Sequence, residues 1–408
     1  MLTPSKVFWA IFGMYVLTMF LPAVLLDVAP STVYVRHPMP AEVVQTTLLA
    51  CAVFLLGLAL GAMVFRFRTP EIDYRSAAFE AGLARIVALT AFAALYVLVF
   101  GPPAPFIASF TLTDQTAIAM ARENAVKLNP DLIFVRLYSW GRDMFAPVTF
   151  ALSVQALRLG KAGRSRAVAI LGVIVALYLG LWSGQKATML NYVLALFIFA
   201  ARDVRSMVVT AAKGFPALAV IVGVLFWFTL PQLANNPDAI RILFIAVSNR
   251  VISAPLQVAE VYVDALDRLN LISPADALPY LNFLWTPGIL SLENYVGLRY
   301  FSEDPTSSIH ANTAAFAYAY VLGGYAGCLL GGVAVMAGLR LALKVVGATA
   351  SPFLSTAFAA VVSYVLLDLM NGNFVSYLLR IVVLGVLVWG AHALLHRYLS
   401  SRQSVSRA

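Results

Sequence analysis

The sequence predicts an all-α, multi-pass membrane protein with about 10–12 transmembrane helices, and three observations lead to this fold class. Of the 408 residues, 61% are hydrophobic and only 12% are charged, about half the charged share of a typical soluble domain. The mean hydropathy is +0.86. Apolar stretches of about 20 residues recur along the chain, and this is the length that an α-helix needs to cross a bilayer.

The apolar stretches predict ten spans, and the basic residues orient them. The spans are residues 7–26, 43–65, 83–100, 137–157, 167–183, 187–201, 215–231, 311–338, 353–370 and 374–395. With the N-terminus inside, most Lys and Arg fall on the inner side, as the positive-inside rule requires. The inner clusters are Arg66, Arg68 and Arg75; Arg158, Lys161, Arg164 and Arg166; Arg202, Arg205 and Lys213; and Arg397, Arg402 and Arg407. This asymmetry explains the net charge of +9 without a nucleic-acid partner, and it places both termini in the cytoplasm.

The order of spans divides the chain into three segments. Residues 1–231 form the N-terminal transmembrane helices, and residues 311–408 form the C-terminal helices and a basic tail. Residues 232–310 form a large outer loop, which is too long to be a structureless connector. The first span is predicted to be an uncleaved anchor rather than a signal peptide, because its apolar run exceeds the usual length of a signal core.

The large outer loop carries an amphipathic pattern followed by an aromatic one. Apolar residues at i, i+3, i+4, i+7 and i+11 predict a helix on the membrane surface; they are Ile240, Leu243, Phe244, Val247 and Val251. Six aromatic residues then alternate with acids and amides: Tyr280, Phe283, Trp285, Tyr295, Tyr300 and Phe301 among Asn282, Glu293, Asn294, Glu303 and Asp304. Such a mixture fits a sugar-binding surface, and an aromatic belt at the lipid interface is the alternative.

Four cations on the outer side are candidate ligands for an anionic group. The apolar run from Met144 to Leu157 is too short to cross a bilayer, so its span must extend back through Arg142 and Asp143. Arg380 follows a turn by seven residues and therefore lies below the helix start, where Asp368 is an alternative partner.

The other two cations lie at or near the outer surface, and a histidine follows them. Lys186 ends a tight hairpin, where a lysine reaching the interface is the ordinary explanation, and Arg250 lies in the amphipathic loop helix. His310 lies where the loop re-enters the membrane, and it is a candidate general base. An ionisable group in a membrane segment is costly, which makes these residues functional candidates.

No metal or cofactor is predicted. The sequence contains no P-loop, dinucleotide-binding glycine fingerprint, HExxH or GxSxG pattern. Cys51 and Cys328 both fall inside predicted spans, so neither a disulfide nor a metal site is expected from them. Gly323, Gly327 and Gly331 are spaced at four residues and predict a ridge for close helix packing.

Two short stretches resemble the Wzy-type O-antigen polymerases and the related O-antigen ligases, bacterial inner-membrane glycosyltransferases of GT-C type. The stretch from His310 through Asn312 to Gly327 resembles the end of that family's periplasmic loop and the helix after it. Ser183-Gly184-Gln185-Lys186 resembles its small-residue and lysine turn. The family has more spans than ten, so further helices are expected around 101–136 or 239–266.

The resemblance implies polymerisation of undecaprenyl-diphosphate-linked repeat units at the periplasmic face. It implies a diphosphate held by Arg142, Lys186, Arg250 and Arg380, with His310 acting on the acceptor hydroxyl and Asp143, Glu303 or Asp304 as substitutes. Trp285, Tyr295 and Asn312 are the expected sugar contacts. Membrane lipid and a chain-length regulator protein are candidate partners. An O-antigen ligase and a transporter or flippase for anionic lipid-linked glycans remain the alternatives.

Overall fold

The structure is a computed structural model, and it contains helices and turns without strands in the part of the chain that it describes. The described residues are 3–28, 39–67, 75–107, 121, 124–125, 129–160, 163–183, 192, 209, 237–239, 241–242, 254–269 and 313–347. The predicted spans 187–201, 215–231, 353–370 and 374–395 lie outside this part, and so does nearly all of the helix predicted at 240–251. The segment boundaries at 231 and 310 also lie outside it.

Five described helices are long and apolar enough to cross a membrane. They are Pro4–Val28, Ala41–Val64, Phe79–Phe100, Gly163–Trp182 and Ala315–Leu341. Large apolar side chains point away from the protein on these helices; Leu49, Leu56 and Met63, at seven-residue spacing on one helix, are each more than half exposed. An apolar stripe of this kind faces lipid rather than water. The chain is therefore a multi-pass membrane protein, as predicted.

The contacts divide the chain into two compact units. In the first, the described helices are α4 (Ala77–Phe100), α5 (Leu132–Trp140), α6 (Ala146–Arg158) and α7 (Gly163–Trp182), with a π-helical turn, Gly141–Phe145, between α5 and α6. In the second they are α1 (Pro4–Tyr15), α2 (Leu21–Val28), α3 (Ala41–Val64), α8 (Ala254–Leu269) and α9 (Ala315–Gly347). A π-helical turn, Val16–Phe20, joins α1 to α2.

Polar side chains start and join the helices of the first unit. The hydroxyl of Ser76 accepts a hydrogen bond from the N–H of Phe79 and starts α4, while the carboxylate of Asp131 accepts from the N–H of Ile133 and starts α5. Between α4 and α6, the buried hydroxyls of Thr90 and Thr149 are hydrogen-bonded at 2.7 Å. The Thr90 hydroxyl also donates to the carbonyl of Ile86, so the bond between the two threonines gives the buried Thr149 hydroxyl its partner.

Both π-helical turns end two residues before a proline. The first ends at Phe20 before Pro22, and the second ends at Phe145 before Pro147. Proline has no N–H, and its ring collides with the carbonyl four residues earlier, so a regular α-helix cannot continue through it undisturbed. A wider turn just ahead of the proline accommodates the missing hydrogen bond.

The predicted span 137–157 is a longer interrupted helix in the structure. The helical run starts at Leu132, passes through the π-helical turn and ends at Arg158. The prediction that Arg142 and Asp143 belong to this helix is confirmed. The π-helical turn ahead of Pro147 was not predicted.

Helix α9 is broken at Gly323 and Gly324, where Gly324 has a φ of +58°. The short arm, residues 315–322, folds back against the long arm, residues 325–347. The thiol of Cys328 donates to the carbonyl of Phe316 at 3.4 Å across 12 residues, which a straight helix would hold about 18 Å apart. A Cβ atom placed on Gly331 would lie 3.1 Å from the Cβ of Ala319. The predicted span over 311–338 is therefore long and apolar enough to cross a membrane, but it is not one continuous helix.

The predicted packing role of Gly323, Gly327 and Gly331 is confirmed for two of the three glycines. A Cβ at Gly327 would collide with the carbonyl of Ala319 in the short arm, and one at Gly331 would lie 3.4 Å from the Phe54 ring of α3, whereas one at Gly323 would meet nothing within 4 Å. The long arm also meets α3 through other glycines. A Cβ at Gly332 would lie 2.6 Å from the backbone N of Leu58, and one at Gly61 would lie 2.8 Å from the Cβ of Met336.

The two glycines of the break offer a matched pair of substitutions. Neither position has an atom near an added Cβ, so any difference comes from the backbone. Gly324→Ala should destabilise the protein by about 1–2 kcal/mol, because a side chain is strained at positive φ. Gly323→Ala, at a φ of −168°, should cost less. Thermal unfolding of the two variants in detergent measures this difference, and equal stability would contradict the backbone assigned to the break.

Candidate functional site

Arg142 lies in the π-helical turn Gly141–Phe145, called here the arginine turn. Its side chain is half-buried, and the guanidinium carbon lies 5.2 Å from the centroid of the Tyr138 ring. A cation over an aromatic face is stabilised by about 0.5–2 kcal/mol, and more strongly where water is excluded. The Tyr138 ring therefore helps to hold a positive charge within the first unit.

The Tyr138 ring is fixed by other aromatic side chains in the core of the first unit. Tyr138 is fully buried, stacks on Phe134 with an interplanar angle of 6°, and lies 4.6 Å from the Trp182 ring. Gly141 allows the arginine turn to approach its neighbours, because a Cβ there would already lie 3.2 Å from side-chain atoms of Ala93 and Leu179. The backbone that carries Arg142 is thus packed closely between α4 and α7.

Helix α7 ends beside this aromatic cluster. Trp182 ends α7 against Tyr138, and the next residue, Ser183, is buried. The predicted cation Lys186 lies outside the described residues.

In the second unit, α8 carries a polar stripe that is enclosed by protein. Gln257, Glu260 and Asp264, at positions i, i+3 and i+7, share one face of the helix, and their exposed fractions are 6%, 2% and 7%. The helix packs against α3 and the π-helical turn Val16–Phe20. A polar helix face normally points to water, so its burial marks a special environment.

Glu260 has the most perturbed environment in this stripe. Its Oε1 atom is buried and has no hydrogen-bond partner in the structure. Burial raises the pKa of the Glu260 carboxyl from 4.5 to about 7. A carboxyl of this pKa can take up or release a proton near neutral pH, which suits acid–base catalysis or proton transport.

Sequence reasoning missed Glu260 and Asp264. It expected helices around 239–266, and α8 overlaps that range, but the two acids were not singled out. The sequence carried no signal for this burial, because the polar residues of α8 lie on one side of the helix, as they would in a surface helix. Only the tertiary structure shows that this side is enclosed.

The short arm of α9 begins next to a buried threonine. Thr313 is 3% exposed, and its hydroxyl oxygen has no hydrogen-bond partner in the structure. Residues Ala314 to Ala319 are almost fully enclosed, and the Tyr318 ring contacts the Tyr262 ring of α8 at 6.4 Å. The predicted residues His310 and Asn312 precede Thr313 in the sequence, and their own positions lie outside the described residues.

Most of the predicted site residues lie outside the described residues, so their convergence on one site stays a prediction. Besides His310 and Asn312, those outside the described residues are Lys186, Arg250, Arg380, Glu303, Asp304, Trp285 and Tyr295. The backbone of Asp143 lies in the arginine turn, and its side chain is outside the described part. Among the residues that are described, no group of three His, Cys, Asp or Glu side chains could hold a metal ion. Cys51 and Cys328 are free and buried.

Comparison of the chain with protein-family models, with curated proteins and with solved structures finds no match. The family resemblance therefore stays a prediction from the sequence. The fold and the buried charged groups carry the functional argument.

The pH dependence of stability in a Glu260→Gln variant tests the environment of the Glu260 carboxyl in the polar stripe. The folded protein keeps the Glu260 proton between pH 4.5 and about 7, where the unfolded chain loses it, so stability falls as pH rises through this window. Glutamine cannot ionise, so the variant should unfold at a higher temperature than the parent at pH 8, by the equivalent of about 2–3 kcal/mol. At pH 4.5 the difference should largely disappear.

The matched control is Glu42→Gln, which changes an exposed carboxyl at the start of α3. It should leave the unfolding temperature at pH 8 close to that of the parent, because the side chain is exposed. A Glu260→Gln protein that is less stable than the parent at pH 8 would show that the carboxylate is compensated in the folded protein.

Proposed function

We propose that this chain is a membrane glycosyltransferase that polymerises undecaprenyl-diphosphate-linked oligosaccharide repeats into a surface polysaccharide, such as the O-antigen of lipopolysaccharide. The reaction takes place at the periplasmic face of the bacterial inner membrane. Support comes from the multi-pass helical fold, the aromatic and acidic outer loop, and the resemblance of the stretch after His310. An O-antigen ligase would use the same chemistry with a different acceptor.

The observation that carries the proposal is the position of Arg142. A guanidinium half-buried in a bundle of apolar helices, and held over the Tyr138 ring, is costly to maintain and is positioned before any ligand arrives. Such a group suits a diphosphate, because its planar donors match phosphate oxygens and are strongest where water is excluded. Lys186, from the sequence, adds a second cation to the proposal.

The proposed reaction exchanges one bond for another at the anomeric carbon of the donor sugar. The acceptor hydroxyl oxygen attacks this carbon, and the bond to the diphosphate oxygen breaks with its electron pair leaving on the diphosphate. The hydroxyl proton passes to His310. Arg142, with Lys186, Arg250 and Arg380, neutralises the negative charge that grows on the leaving diphosphate, which is the largest stabilising term in reactions of this kind. This scheme assigns no metal ion.

Arg142→Ala should lower chain growth by about 100-fold or more, because it removes a donor to the leaving group. Arg142→Lys should recover part of the activity, since it keeps the charge and loses the planar fork. The control is Arg158→Ala, an exposed arginine at the end of α6. The lengths of lipid-linked glycans in complemented cells, at equal protein level, provide the measurement. Unchanged chain length in Arg142→Ala would refute the proposal.

One observation favours a second candidate, a proton-coupled transporter or flippase for anionic lipid-linked glycans. Glu260 is a buried carboxyl that can change protonation near neutral pH, as carboxyls on proton pathways do. The glycans of a deletion strain separate the candidates. Accumulated single repeats at the outer face indicate a polymerase, full-length lipid-linked polymer indicates a ligase, and repeats trapped at the cytoplasmic face indicate a flippase.

A further inference from the structure

Helices α4 and α7 of the first unit run side by side in the same direction. Near the start of both helices, the Ser165 hydroxyl donates to the carboxylate of Glu80 at 2.8 Å. Seven residues further along each helix, a Cβ on Gly172 would lie 2.9 Å from the side chain of Val87. The contacting residues are separated by the same number of positions at both levels. The two helices are therefore parallel, and both begin at the same end of the unit.

This shared end carries three exposed arginines, which we call the basic patch. Arg164 and Arg166 lie in the first turn of α7, and Arg85 lies two turns into α4. Glu80 is the only acidic residue in the sequences of the two helices, and its half-buried carboxylate accepts the Ser165 hydroxyl. A basic side chain in the first turn of a helix opposes the helix dipole. The stability of α7 therefore does not explain why two arginines begin it.

Both helices continue from the basic patch into an exposed apolar face. On α7, Ile170 and Ile174 follow Arg166 at i+4 and i+8 on one side of the helix, and both are exposed. On α4, the exposed Leu89 follows Arg85 at i+4. These apolar side chains start about 6 Å along the helix axis from the arginines. Each arginine thus presents hydrogen-bond donors at the end of a surface that hydrocarbon can cover.

The basic patch is separate from the arginine turn. A Cβ at Gly141 would lie 3.2 Å from a side-chain atom of Leu179, so the turn that carries Arg142 packs beside this part of α7. Leu179 follows Arg166 by 13 residues, which is about 20 Å along an α-helix. The patch and the arginine turn therefore cannot hold the same phosphate group, and a role for the patch goes beyond the proposed function.

We propose that the basic patch binds the phosphate of an anionic phospholipid whose acyl chains lie along the exposed apolar faces of α4 and α7. Guanidinium groups donate several hydrogen bonds to phosphate oxygens and keep their charge throughout the physiological pH range. Basic groups at a membrane surface attract anionic lipids and form headgroup sites between helices. A free phosphate or a nucleic acid would use the arginines alone. The combination of positive charge with adjoining apolar faces matches a lipid.

Thermal unfolding of the parent protein in detergent micelles tests the kind of ligand. Phosphatidylglycerol should raise the unfolding temperature more than phosphatidylcholine, because the two lipids share their acyl chains and only the first has a net negative charge. Inorganic pyrophosphate should stabilise the protein little, because it has no acyl chains. Equal stabilisation by the two lipids would overturn the proposal. Pyrophosphate that stabilises as strongly as phosphatidylglycerol would also overturn it, because a free anion would then be the ligand.

Substitution of single arginines tests the location of the site. Arg85→Gln, Arg164→Gln and Arg166→Gln should each raise the phosphatidylglycerol concentration for half-maximal stabilisation about fivefold. These side chains are exposed, so the substitutions leave the packing between the helices unchanged. The matched control is Arg66→Gln, which removes one exposed arginine after α3 in the second unit and should bind the lipid like the parent.

Two outcomes of this series would refute the site. Lipid binding that is unchanged in all three patch variants would show that the arginines are not ligands. An equal loss in Arg66→Gln would show that the lipid responds to total charge and not to a defined patch. Neither outcome bears on chain growth in Arg142→Ala, because the arginine turn lies about 20 Å from the patch along α7. The lipid site and the proposed polymerase can therefore fail independently.

Discussion

The requirement that backbone hydrogen bonds be satisfied inside an apolar medium governs this structure. Lipid offers no donors or acceptors, so each span is helical, and every interruption of a helix must be covered by protein. The described part of the chain has three interruptions within its long helical runs. Two are π-helical turns ahead of Pro22 and Pro147, and the third is the reversal at Gly323 and Gly324. Each one leaves backbone groups that neighbouring helices or a ligand must satisfy.

The polar and charged side chains that could take part in a reaction lie at or beside these interruptions. Arg142 belongs to the second π-helical turn, α8 with Glu260 packs against the first, and Thr313 lies at the start of the arm that the glycine reversal creates. Interruptions of helices occur often at functional sites because they free backbone groups and redirect side chains. The candidate functional residues of the proposed enzyme thus lie where a regular α-helix is interrupted.

The two units stabilise their buried ionisable side chains in different ways. In the first, the aromatic face of Tyr138 lies against the guanidinium of Arg142 and stabilises its charge. In the second, burial of Glu260 favours the neutral acid and raises its pKa to about 7. A cation is therefore kept charged in the first unit, and an acid is kept close to neutral in the second.

The sequence by itself determined the membrane class, the five apolar helices and the inclusion of Arg142 in a helix, because hydropathy and the minimum length of a span are local properties. Only the tertiary structure decided that Gly323 and Gly324 reverse a helix while Gly61 and Gly332 pack two helices together. Glycine permits both a turn and a close approach, and its neighbours in space choose between them. Likewise, Glu260 and Thr313 are ordinary polar residues in the sequence, and they become unusual only because distant parts of the chain enclose them.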